Sequence, residues 1–314
     1  MNEVFKYTGY TKQAFHQKRD RVLLEREQHL LLLPLIEELR LEHPGVAVRQ
    51  LYLILRPEHI GRDKFESLCF EHGFKLPKRK AYKRTTDSTG VIRFPNLIEG
   101  REFTAINQAW VSDITYFQIG ERVYYITFIM DLFSRKIVGY SVSKRLLTDQ
   151  TTLPALRMAL AQRKPGAGVI FHSDGGGQYY CKTFLKLTED HKIKNSMCDV
   201  VFENPHAERI NGTIKNQYLK GYKPYSYESL TMMTARAVYN YNNIRPHKSL
   251  KQLTPAAFEQ LKSADGSSSS TDNFCTGENS AGQHQKNYQL PMRSIKPLNN
   301  QENELKKRST FFRL

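Results

Sequence analysis

The chain has 314 residues, with 47 Lys+Arg against 31 Asp+Glu, a formal net charge of +16 and a sequence pI near 9.6. Such an excess favours a polyanionic partner such as nucleic acid over an acidic small molecule, with a merely basic soluble protein as the bland alternative. Cys69, Cys181, Cys198 and Cys275 are scattered without a C-x-x-C pair, which argues against a zinc ribbon or a disulfide framework. The longest apolar stretch, LLLLPLI at residues 30–36, is far too short to cross a bilayer, and MNEVFKYTGY has no apolar signal core. The expectation is a cytoplasmic protein with no membrane partner.

Residues 8–42 are basic, leucine-rich and helix-friendly, with Thr11 placed as an N-cap. The leucines suit a coiled-coil seam or a helix-turn-helix core, and Pro34, which interrupts the run, favours the second. VRQLYLIL and RDKFESLCFEHGF then predict two short helices around the break RPEHIG. The first 76 residues are therefore assigned to a helical, helix-turn-helix-like DNA-binding region. PKRKAYKR follows, and residues 77–107 form a basic linker in which Lys78, Arg79, Lys80, Lys83 and Arg84 are placed to neutralise DNA phosphates.

From Gln108 the period changes to that of strands. AWVSDITYFQIG, RVYYITFIMDLF and RKIVGYSVSK read as an antiparallel meander, followed by a helix in TTLPALRMALAQRK, a strand in VIFHSD, a helix in KTFLKLTEDHK and a short strand in IKNSMC. The order predicts an α/β fold with a mixed five-stranded sheet flanked by helices, over residues 108–262 including C-terminal helices. Residues 263–314 are rich in Ser, Gly and Asn, a composition expected of a disordered tail.

FHSDGGGQYY, residues 171–180, lacks the Lys-Ser/Thr pair of a P-loop and the spacing of a dinucleotide fingerprint. It leaves a carboxylate, Asp174, at the end of a buried strand. Asp113 lies in the first strand among apolar neighbours, where an unpaired charge is costly to bury. If strands one and four lie side by side, the two aspartates meet at one edge. Glu208 begins a helix placed by Asn204-Pro205. Three such carboxylates make a hard-oxygen site for magnesium or manganese. Asp131 reads more readily as a turn residue or an Arg135 ion pair, His172 and His206 as packing residues beside the carboxylates, and Trp110 as a core anchor.

In order along the chain, W-x-x-D-I-T at 110–115, D-L-F-S-R at 131–135, H-S-D-x-G-x-Q-Y at 172–179, A-E-R-I-N-G-T-I-K at 207–215, Y-N-x-x-R-P-H ending at 247 and L-T-P-A at 253–256 resemble the OrfB-type transposases of bacterial insertion sequences. The resemblance implies a ribonuclease-H-like integrase core, a DDE triad of Asp113, Asp174 and Glu208, two Mg²⁺ or Mn²⁺ ions, and double-stranded DNA, both terminal repeats and target, as substrate. It also implies a homo-oligomer on DNA, with an OrfA-like protein as a further partner. Lys215 matches the basic residue that the family places seven positions after its glutamate, and Gln178 is assigned with it to DNA contact. The 33 residues between Asp174 and Glu208 are a couple fewer than the family's usual gap, and Gly175 stands where arginine is common. A DNA-binding regulator would not need the triad. A ribonuclease-H-type nuclease would cut without joining and would not need the helical front.

Overall fold

The computed structural model describes residues 11–77, 94–198 and 204–267, with side chains to 264. Lys78, Arg79, Lys80, Lys83 and Arg84 of the basic linker, Glu203 and the segment beyond residue 267 lie outside the described residues.

The chain opens with α1 (Lys12–Glu42), capped by Thr11, whose hydroxyl accepts the Ala14 N–H at 3.1 Å. The sequence places a break at Pro34; instead α1 runs through it as one helix. Proline removes one N–H, and the carbonyl left over is that of Leu30, an exposed residue on the solvent side of the helix, where that carbonyl is open to hydration. Ile36 is buried while Leu23, Leu24, Leu30 and Leu31 stay exposed, so α1 packs by one narrow stripe. Two short helices follow, α2 (Val48–Leu55) and α3 (Arg62–Glu71), joined through buried Leu51, Phe65 and Leu68.

The sheet is made by β1 (Ala109–Ile119), β2 (Arg122–Asp131), β3 (Ile137–Ser143), β4 (Ile170–Ser173) and β5 (Lys194–Met197), in the order β3-β2-β1-β4-β5. β1–β2 and β2–β3 pair antiparallel, β1–β4 and β4–β5 parallel. An antiparallel meander extended by two parallel strands needs crossover helices, and α4 (Thr152–Arg163) and α5 (Lys182–Asp190) supply them. This is the ribonuclease-H-like arrangement. α6 (Pro205–Thr213) continues without a break into a π-helical stretch, Ile214–Leu219, and a last turn, Lys220–Tyr222. α7 (Tyr227–Asn243) and α8 (Pro255–Ser267) close the described chain, α8 reaching five residues into the segment read as tail.

Strand alternation sends successive β1 side chains to two cores. Trp110 joins Ile129, Leu156, Phe171 and Phe184 beneath α4 and α5. Val111 faces the other way, into a cluster with Phe128, Ile210, Ile214 and Leu230 that also takes in Ile36, Leu51 and Phe65. The helical front therefore shares a core with the sheet. Its junction is tight: the Gly45 N–H donates to the Gln217 carbonyl at 2.8 Å, and the Tyr222 hydroxyl donates to the Glu42 carbonyl at 2.6 Å. Glu42 also pairs with Arg236, its Oε2 2.8 Å from Nε. Gly221 meets the Pro44 ring so closely that a Cβ there would overlap it.

That contact predicts that Gly221→Ala destabilises the fold by about 1–3 kcal/mol, the usual range for overpacking a close interface. Urea denaturation followed by circular dichroism measures it. An unchanged midpoint would mean that α1 and α2 do not dock against the π-helical segment.

Candidate active site

β1 and β4 pair with one constant offset: Ala109 faces Ile170, Trp110 faces Phe171 and Val111 faces His172. Carried two residues further, the register sets Asp113 beside Asp174, the first residue after β4. Parallel neighbours in register project to the same side of the sheet, about 5 Å apart in the backbone. Continued past the last paired residues, the alignment thus puts two half-buried aspartates on the same side of the sheet, at the edge where β4 ends and the glycine loop begins.

Each aspartate is held by a donor. Asn211 Nδ2 donates to Asp113 Oδ2 at 2.8 Å, and the Gly176 N–H donates to Asp174 Oδ1 at 3.2 Å. Burial raises the Asp174 pKa, and the Gly176 bond partly offsets it. At position 176 a Cβ would lie 3.1 Å from Asp174 Oδ1, so glycine lets the loop fold back onto the carboxylate. Tyr179, buried behind the loop, has its phenol pKa raised well above normal by burial and by the fields of Asp174 and Asp113. Its oxygen lies 2.9 Å from Ser112 Oγ, whose own proton goes to the Phe128 carbonyl at 2.9 Å. Tyr179 is therefore the donor in that pair, a neutral phenol fixed under the loop.

α6 lies along β1 by one polar face. Asn204 caps it, accepting the Ala207 N–H at 3.4 Å while its Nδ2 donates to the Ser112 carbonyl at 3.0 Å. At 100° per residue, Asn204, Glu208 and Asn211 fall within an arc of about 60°. Two of the three touch β1, so half-buried Glu208 stands on the face turned to the strand that carries Asp113. Among the described residues no three His, Cys, Asp or Glu side chains are close enough to hold one metal ion together. Lys215, at the start of the π-helical stretch, donates from Nζ to Thr115 Oγ1 at 3.2 Å and lies 4.5 Å from the centre of the Tyr116 ring. Burial lowers its pKa, Lys220 adds to that, and Asp113 works against both.

Other sequence candidates take structural places. Gln178 ties the glycine loop to the start of α4: its Nε2 donates to the Leu146 carbonyl at 3.4 Å, and its carbonyl accepts the Thr152 hydroxyl at 3.1 Å. Asp131 is fully buried in the β2–β3 turn, accepting the N–H groups of Asn107 at 2.6 Å and of Phe133 and Ser134 at 3.0 Å. Arg135 turns from Asp131 to His206, donating to Nδ1 at 2.7 Å. His172 is buried beside Ser196, and Trp110 is buried with its indole N–H on Asn107 Oδ1 at 3.3 Å. Asn211 does not stand out in the sequence; its place three residues after Glu208 is the signal that would have found it.

Two integrase core domain families match the chain, over residues 104–201 and 192–255. It is 31% identical over 260 residues to the uncharacterized 31 kDa protein of insertion element IS600 from Shigella sonnei, a match that covers 81% of this chain and 94% of that protein. It is 33% identical over 169 residues to the transposase InsF of insertion sequence IS3A from Escherichia coli strain K12, covering 52% of this chain and 58% of the relative. Among solved structures, the HTLV-2 integrase catalytic core domain in complex with magnesium matches 49% of this chain and 96% of its own at 21% identity and a TM-score of 0.42. The extent of the match to the IS600 protein, with the integrase core inside it, makes the chain a member of the IS3-type insertion-sequence transposases, DDE polynucleotidyl transferases.

Proposed function

We infer that this transposase cleaves DNA at the ends of an insertion sequence and joins the freed ends to target DNA, with Asp113, Asp174 and Glu208 as its catalytic and metal-holding carboxylates. The observation that carries the reading is the β1–β4 register, which sets two aspartates at one strand edge with Glu208 on the helix facing it. The donor set is all hard oxygen, which fits magnesium or manganese. Two ions held by these carboxylates would supply Lewis-acid polarisation of a phosphodiester and activation of the attacking hydroxyl.

The chain's own residues do the positioning. Asn211 and the Gly176 N–H each hold one oxygen of an aspartate and so fix the direction in which its carboxylate points. Lys215, held on the same side of β1 as Asp113, is read as a contact to the DNA backbone. In the first reaction water attacks the phosphodiester at the element's end, the P–O3′ bond breaks, and the departing 3′-oxygen takes up a proton. In the second that 3′-hydroxyl attacks a target phosphodiester: one P–O bond forms, one breaks, and the proton passes to the target's 3′-oxygen. No protein nucleophile is needed, and one site serves both steps. The substrate in this reading is double-stranded DNA, both the ends of the element and its target, as the name of the transposase relative suggests, and the working form is a homo-oligomer assembled on it.

Glu208→Gln removes a charge and little volume, so it is expected to leave DNA binding intact. Magnesium-dependent cleavage should fall further than the about 10–100-fold that loss of a supporting residue costs. Glu203→Gln should be mild; an active Glu208→Gln beside a dead Glu203→Gln would show that the third carboxylate is the other one.

Asn211→Ala should weaken metal activation by about 10–100-fold, because Asp113 loses its orienting donor. Titrating cleavage with magnesium separates this from a folding defect: saturating metal restores the rate if Asn211 positions Asp113, and does not if the site has collapsed.

Neutralising Lys78, Arg79, Lys80, Lys83 and Arg84 should flatten the slope of log affinity against log salt by about 0.9 for each phosphate that the variant no longer neutralises. A slope equal to wild type would assign the DNA affinity elsewhere.

A further inference from the structure

α6 has a second working face. His206, Arg209, Ile210 and Thr213 recur at the i, i+3, i+4, i+7 spacing, roughly opposite the Asn204–Glu208–Asn211 face. They line a cavity of about 530 Å³ closed by Arg135 of the β2–β3 turn, by Tyr241 of α7, and by Arg245, His247 and Lys248 of the segment that follows α7. Among the described residues no Asp or Glu lines it. Among the described residues none of Arg135, Arg209, Arg245 and Lys248 lies within ion-pair distance of a carboxylate.

Two of the cations are held in place by neutral groups. Arg135 donates to His206 Nδ1 at 2.7 Å; Arg245 Nε donates to Gln217 Oε1 at 3.0 Å, and its guanidinium lies 5.9 Å from the centre of the Tyr241 ring. His247 stands edge-on to Tyr241 at 4.5 Å, with Nε2 3.4 Å from the Tyr241 carbonyl. Burial first, then these guanidinium groups, push His206 to about 4 and His247 to about 3. Both rings are thus neutral at physiological pH, and the net charge of the lining is four positive. Among the described residues the carboxylate that acts on Arg135 is Asp131, which is committed to the backbone N–H groups of Asn107, Phe133 and Ser134. Four like charges converging on one cavity repel one another unless an anion enters. Guanidinium groups present planar donor forks suited to phosphate oxygens.

We propose that this cavity is a second DNA-contact site, in which Arg135, Arg209, Arg245 and Lys248 hold phosphate groups of the DNA backbone on the side of α6 away from the carboxylates. The inference rests on the DNA-processing reading of the fold. It adds that α6 is clamped between two segments of DNA, or two parts of one bent segment, with chemistry on one face and grip on the other. The contact is to backbone and carries no sequence information.

The test is duplex binding by fluorescence anisotropy across a salt series. It uses the full chain, Arg209→Gln/Lys248→Gln as the pocket variant, and Lys186→Gln/Lys192→Gln as a control that removes two exposed positive charges elsewhere. The four changed positions are exposed, which spares the half-buried Arg135–His206 contact. The pocket variant should lose about 1–2 from the salt slope, equally for specific and unrelated duplexes, while the control keeps the wild-type slope. Three results overturn the proposal while leaving the catalytic reading standing: an unchanged slope in the pocket variant, an equal loss in the control, or a pocket that loses only thermal stabilisation by inorganic phosphate. Failure of the wild-type chain to bind duplex at all would overturn both.

Discussion

The parallel pairing of β1 with β4 is the constraint on which the rest depends. The chain runs 61 residues from Ala109 to its partner Ile170, through a meander and a crossover helix, and returns in a register that sets Asp113 beside Asp174. A slip of one residue would send Asp113 to the other face, into the cluster around Trp110 and Phe171. The register is locked by burial on both sides: Trp110 and Phe171 face one core, Val111 and Ile170 the other. The position of the two carboxylates is thus a by-product of apolar packing several residues away.

Burying carboxylates at a sheet edge costs energy that the surroundings offset in part. Asp174 has its pKa raised by burial, so its charged form is poorly solvated, and Gly176 and Asn211 supply a donor to one oxygen of each aspartate. An arrangement of this kind favours a cation. α6 connects that need to the rest of the molecule: Asn204 pins its start to β1, its middle carries Glu208, and the π-helical stretch after it places Lys215 on Thr115. A π turn adds a residue per repeat and re-aims the side chains beyond it, which suits its place next to a functional face. The same stretch receives the Gly45 N–H on Gln217, so the helical front and the carboxylate edge bear on one element.

Much of this was legible in local sequence because local physics sets it. Strand-like apolar and aromatic runs marked the five strands in order, Thr11 and Asn204-Pro205 marked helix starts, and Trp110 read as a core anchor. Pro34 misled, because a proline on an exposed helix face can be accommodated within a long helix whose other contacts hold it. The features hidden in the sequence depend on tertiary meetings. Asn211 matters only because α6 lies on β1. Arg135, Arg209, Arg245 and Lys248 come from three separated segments, and nothing local marks them as neighbours. The two ends of the Pro44–Gly221 contact are equally silent until they touch.

The central claim, that the β1–β4 edge with α6 is where divalent metal and DNA chemistry meet, is tested most directly by manganese. Anomalous diffraction from crystals of the full chain soaked in Mn²⁺ should place a peak between Asp113 and Asp174, on the side of Glu208, and the peak should vanish in Asp174→Asn. Manganese bound at another carboxylate cluster, or a peak unmoved by Asp174→Asn, would contradict the account.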